Sequence, residues 1–106
     1  MAKNNCQLKI SYEDGLLTAR LCGELDHHSA VAVRTLIDSE IKKHSPVKAV
    51  LDMKDLDFMD SSGIAVVVQT ARKCQSCGGK LSVTHTPAQA QKVLTCAGIH
   101  RLVDIR

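Results

Sequence analysis

Leu51-Asp52-Met53-Lys54-Asp55-Leu56-Asp57-Phe58-Met59-Asp60-Ser61-Ser62-Gly63-Ile64 is the stretch on which the reading of this chain turns. It joins an apolar run to the start of a helix. Residues 47–53, with Ala49, Val50, Leu51 and Met53, read as a short buried strand, and a continuous apolar run suits a central parallel strand. Leu56, Phe58 and Met59 continue an apolar alternation towards Asp60. A helix then begins around Ser61-Ser62-Gly63 and reaches about Cys77. Its first half, Ile64-Ala65-Val66-Val67-Val68, is β-branched and helix-poor, so burial must hold it. Gly78 and Gly79 follow its end, as C-terminal glycines do.

Working outward, residues 6–12 alternate, with Leu8 and Ile10 apolar and Gln7, Lys9 and Ser11 polar, which reads as a half-buried strand. Glu13-Asp14-Gly15 is a turn, and residues 16–22 form a second strand, completing an antiparallel hairpin. After a loop over 23–28, Ser29 is placed to cap a helix running to Lys43. Its stripe is Ala30, Val33, Ile37 and Ile41. Pro46 marks a break. Residues 81–84 form a strand, Pro87 suits the first turn of a third helix ending near Cys96-Ala97-Gly98, and residues 102–105 form a last strand. The order β-β-α-β-α-β-α-β predicts one α/β domain over 1–106, a mixed sheet covered by helices.

Composition narrows the function classes. Apolar residues make up 44% of the 106, enough for a folded core. Tyr12 and Phe58 are the sole aromatics, so stacking platforms for single-stranded bases are missing. The formal charge of +3 is spread along the chain and does not point to nucleic acid. No apolar run is long enough to span a bilayer, and residues 1–5 carry no signal-peptide core, so a cytoplasmic location is expected. The five cysteines, Cys6, Cys22, Cys74, Cys77 and Cys96, fit reduced thiols.

At Asp60-Ser61-Ser62-Gly63 two caps are open: Ser61 itself, or Asp60 with Ser61 in the first turn. Either places Ser61 by the positive end of the helix dipole, near the surface. The plain reading is a helix cap followed by a glycine. The sharper one is a regulatory phosphoserine, because a helix N-terminus accommodates an anion without loss of the fold. The added charge of about −1.5 to −2 would sit beside Asp60 and repel an acidic or apolar partner.

The stretch quoted above resembles the signature of STAS domains, in particular the bacterial anti-sigma-factor antagonists. A second block, Leu21-Cys22-Gly23-Glu24-Leu25-Asp26-His27-His28-Ser29-Ala30, is similar to the Gly-Glu-Leu-Asp stretch of that family. The resemblance implies a binding protein and not an enzyme, with no cofactor of its own. It implies phosphorylation of Ser61 by a serine-kinase anti-sigma factor, and a separate phosphoserine phosphatase that resets the switch. It also implies a partner surface including Asp26, Asp60, Ser61, Ser62 and Gly63. Asp26 has an alternative reading as a loop carboxylate making local turn bonds. Family members often carry a further helix after the last strand, whereas this sequence stops at Arg106. A second function class is a STAS scaffold module without the phosphate switch.

Three other chemistries compete. Cys74-Gln75-Ser76-Cys77 has the spacing of half a zinc site and needs further ligands such as Cys96 with His85 or His100. A redox pair normally opens a helix, and this one closes a helix. A serine hydrolase would need a histidine base near Ser61, and Asp-Ser-Ser-Gly is not the Gly-x-Ser-x-Gly elbow.

Overall fold

The computed structural model describes residues 6–106; the signal-peptide reading of residues 1–5 falls outside them. Strands β1 (Cys6–Glu13) and β2 (Leu16–Leu25) form the expected hairpin. Then follow α1 (Ala30–His44), β3 (Lys48–Met59), α2 (Ser62–Ser76), β4 (Lys80–Thr84), α3 (Ala88–Cys96), a 3-10 turn (Ile99–Arg101) and β5 (Asp104–Ile105). The strands lie side by side in chain order, β1 antiparallel to β2 and every other pair parallel. Each parallel neighbour is reached by a helical crossover, as parallel pairing demands.

Alternation along the strands gives the sheet one dry face and one wet one. Rows such as Leu17–Ala49–Leu81 and Ala19–Leu51–Val83 run across the dry face and are buried. Helices α1 and α2 pack on it side by side. Val33, Ile37 and Ile41 form the buried stripe of α1, with Ala30 half-buried at its start. Val66, Val67, Ala71 and Cys74 face inward from α2, so burial does hold its β-branched first half.

The third strand runs to Met59 and not to Met53, a correction with a local cause. Its register against β2 slips twice: Arg20 pairs with Asp52 but Cys22 with Asp55, and Gly23 with Leu56 but Glu24 with Phe58. Each slip inserts one extra residue into β3, a bulge. The core-facing residues Met53, Leu56 and Met59 are therefore three apart, and all are buried. A strict period of two cannot find such a strand. Three smaller corrections follow. Pro87 stands just before α3 with extended backbone rather than in its first turn. Residues 99–101 form the 3-10 turn, which leaves Asp104–Ile105 as the last strand. Ser29 caps no helical N–H; its hydroxyl is buried, accepting from the Asp26 N–H and donating to the Glu24 carbonyl.

On the wet face Asp52 is the one buried acid among the described residues. Its Oδ1 accepts the Lys54 N–H at 3.0 Å and faces His85 Nδ1 at 3.2 Å, while Oδ2 lies 3.4 Å from Arg20 Nε. Burial pushes its carboxyl up, but the Lys54 N–H and the charges of His85 and Arg20 outweigh burial and hold it below the usual carboxylate value. A depressed pKa stabilises the fold above the unfolded-state value of about 3.9 and loses that contribution as pH falls through the folded value. Asp52→Asn should therefore be less stable than the parent at neutral pH. The gap should narrow below about pH 4 in urea titrations at stepped pH.

Candidate functional site

Because β2 and β3 run parallel with Leu25 opposite Met59, their C-terminal ends deliver two loops to one place. This edge, outside the carboxyl ends of parallel strands, is where open α/β sheets build binding sites. Both sequence blocks meet there. The Asp60 N–H donates to the Leu25 carbonyl at 3.1 Å, and the His27 N–H donates to Asp60 Oδ2 at 3.3 Å.

Asp60 answers the capping question. Its Oδ1 accepts the Ser62 N–H at 2.8 Å, while Ser61 makes no side-chain cap bond. One carboxylate thus caps α2 and braces the neighbouring loop. The hydroxyl of Ser61 is left exposed at the head of a helix of 15 residues and bonds no described residue. A helix N-terminus favours an added negative charge at such a hydroxyl. Ser62 is half-buried beside it.

Asp26 makes the local bonds expected of a loop carboxylate. Its Oδ1 accepts the His28 N–H at 3.0 Å and the Ser29 N–H at 3.1 Å, shaping the turn that leads into α1. It reaches the site as a half-buried residue one position beyond the end of β2. Gly63 is fully packed: a Cβ there would meet Met59 Cγ and come within 2.7 Å of Met59 Sδ. The close approach that it permits is therefore between α2 and the core.

Met59 itself is held from the other side. Strand β4 pairs with β3 only as far as Asp52, so the last residues of β3 lack that neighbour. Gln89 of α3 takes its place: its Oε1 accepts the Met59 N–H at 2.9 Å and its Nε2 donates to the Met59 carbonyl at 2.8 Å. Gln89→Ala removes two bonds to backbone groups and should cost about 1–3 kcal/mol in urea unfolding. Gln89→Glu, which sets a carboxylate oxygen against the Met59 carbonyl, should cost at least as much as the alanine.

Two features were not found in the sequence. Gln89 lies 30 residues from its partner and has no local signature. The second is a groove of about 230 Å³ between the N-terminal halves of α1 and α2, lined by His27, Ala30, Val31, Arg34, Ser62, Ala65 and Val66. Val31 is 61% exposed there. An apolar residue off the core stripe of α1 was the available hint. Val66 lines the groove while being buried, and Val67 is fully internal.

The residues of the competing chemistries stand as follows among those described. Cys74 is buried, and burial, with Cys77 and Asp38 nearby, pushes its thiol up to about 11, the wrong direction for a reactive thiolate. Among the described residues no three His, Cys, Asp or Glu side chains cluster in metal-binding fashion. The His27 and His28 rings lie tilted against one another with centroids 3.9 Å apart, and neither is bonded to Ser61. No helix among the described residues is long and apolar enough to cross a membrane.

The comparisons agree with this geometry. The STAS domain family matches residues 7–106. An anti-sigma F factor antagonist of Paenibacillus polymyxa is 33% identical over 101 residues, spanning 95% of this chain and 86% of that protein. Among solved structures, the anti-sigma factor antagonist SpoIIAA in its unphosphorylated form superposes with a TM-score of 0.82 at 24% identity, over 94% of this chain and 88% of that one. The Bacillus cell fate determinant SpoIIAA in its phosphorylated form gives 0.72 at 26% identity, over 95% and 90%. With both sequence blocks, the strand order and the relatives in agreement, the chain belongs to the STAS domain family, among the anti-sigma-factor antagonists.

Proposed function

We propose that this chain binds a serine-kinase anti-sigma factor through the edge formed by residues 26–28 and 60–63, and that phosphorylation of Ser61 releases it. The observation that carries the reading is the exposed Ser61 hydroxyl, left unbonded because Asp60 does the capping. A phosphate there gains from the helix dipole and leaves the Asp60 cap in place. It also lays about two negative charges on a surface whose adjoining groove is apolar. The partner then meets a charge that it must desolvate, and the complex weakens. Binding of the unmodified form frees the sigma factor that the kinase holds, and a phosphoserine phosphatase resets the chain. Asp26 shapes the loop, Ser62 and Gly63 set the height of the helix start, and ATP stays with the kinase.

Mass-spectrometric mapping after incubation with ATP and a neighbouring-gene anti-sigma kinase tests this. Phosphate on Ser61, and none in Ser61→Ala, is the expected result. Phosphate on Ser62 would move the acceptor by one residue. None at all would favour the scaffold reading, in which the same edge binds without being switched.

A further inference from the structure

The groove between the N-terminal halves of α1 and α2 exists because the side chains that meet there are short. Ala30 borders it on α1, and Ser62 and Ala65 on α2, so neither helix fills the gap. Ala30 and Arg34 are four residues apart on one helix, and Ser62 and Val66 on the other, so each pair shares a face. Val66 lines the groove as a buried residue, while Val31 stands 61% exposed at its rim. Arg34 is half-buried on the α1 wall and has no ion-pair partner among the described residues. Among those residues no aspartate or glutamate lines the groove, and its other ionisable side chain is His27.

On the binding mode proposed above, we infer that this groove takes an aliphatic side chain of the anti-sigma factor, flanked by a carboxylate that pairs with Arg34. The volume of about 230 Å³ is below the roughly 300–1,000 Å³ of small-molecule sites and suits one anchoring side chain. Ser62 belongs both to the groove and to the edge formed by residues 60–63, so the two make one continuous surface. A half-buried guanidinium is best met by a carboxylate, which it can hold through two parallel hydrogen bonds. A second copy of this chain, set about a two-fold axis, would bring Arg34 to a groove without an acid and complements it poorly. The pairing also gives a phosphate on Ser61 a definite target. It would stand beside the groove wall that draws in the partner's carboxylate, so that like charges meet.

Calorimetry with the full chain and the anti-sigma kinase of the neighbouring gene tests this. Val31→Glu, at an exposed position and checked for folding by circular dichroism, should bind roughly 30-fold more weakly, as loss of an interface anchor does. Arg34→Glu should bind roughly 10-fold more weakly, and a single Asp→Lys or Glu→Lys change in the kinase should restore it to within about 3-fold of the parent pair. A loss in Arg34→Glu that no such change in the kinase recovers would overturn the ion pair and the inference with it. Parental affinity in both variants, while Ser61→Asp still binds weakly, would overturn the groove and leave the Ser61 switch standing. No binding by the parent chain would remove both. A dimer of the unliganded chain in sedimentation, dissociated by Val31→Glu, would make the occupant a second copy and overturn the inference as well.

Discussion

Gly63→Val should lower the unfolding free energy by about 3 kcal/mol, the upper end of what overpacking costs. Two effects oppose each other at this position. Valine has the better helix propensity, by about 0.5 kcal/mol over glycine. Against that, the first carbon added already collides with the Met59 side chain, which is fully buried beneath it. Met59 has little room to move, because Gln89 holds its backbone from the far side. The collision therefore wins, and it acts on the residue directly before Asp60. Urea unfolding gives the energy; a midpoint within experimental error of the parent would show that α2 can lift off Met59 at no cost. Gly63→Ala, with only the first carbon, should lose about 1 kcal/mol after its own propensity gain is counted.

Ser61→Asp should weaken binding to the anti-sigma factor by roughly 30-fold, about 2 kcal/mol, while leaving the melting temperature unchanged or slightly raised. The two halves of this expectation come from one place. An acid in the first turn of α2 is favoured by the helix dipole, by about 0.3–1 kcal/mol, so the fold does not suffer. The same acid stands on an exposed surface beside Asp60 and an apolar groove, where a docking partner must strip its water. Calorimetry on the parent and the variant, with thermal unfolding as the control, separates the two. Equal affinity would end the charge-based account of the switch, and lost stability would show that Ser61 has a structural role not visible in its hydrogen bonds.

The parts of the chain that could be read in advance are those in which the signal is local. The hairpin, the stripe of α1 and the glycine-ended α2 follow from period and turn residues, and both motif blocks are contiguous. The extent of β3 was hidden because two bulges give Met53, Leu56 and Met59 a spacing of three. Ser29 was placed as a cap by its residue type; the structure has it buried and bonded to residues before it, a tertiary outcome that no window over α1 contains. The choice between Ser61 and Asp60 as cap depends on the reach of one carboxylate to two loops. That reach exists because β2 and β3 are paired in parallel. The groove beside Ser62 needs α1 and α2 to be set against each other before its residues share a surface.

The brace through Asp60 also bears on how specificity can be transplanted. Loop 25–28 and the head of α2 share two hydrogen bonds across the parallel strand ends, so neither is free to take up a shape of its own. A chimera that imports only the loop after β2, or only the residues around the start of α2, would seat one relative's segment against the other's backbone across this brace. Partner choice in this chain should pass between relatives as a matched pair of segments, one from each end of a 35-residue separation along the chain and less than a strand's width apart in space.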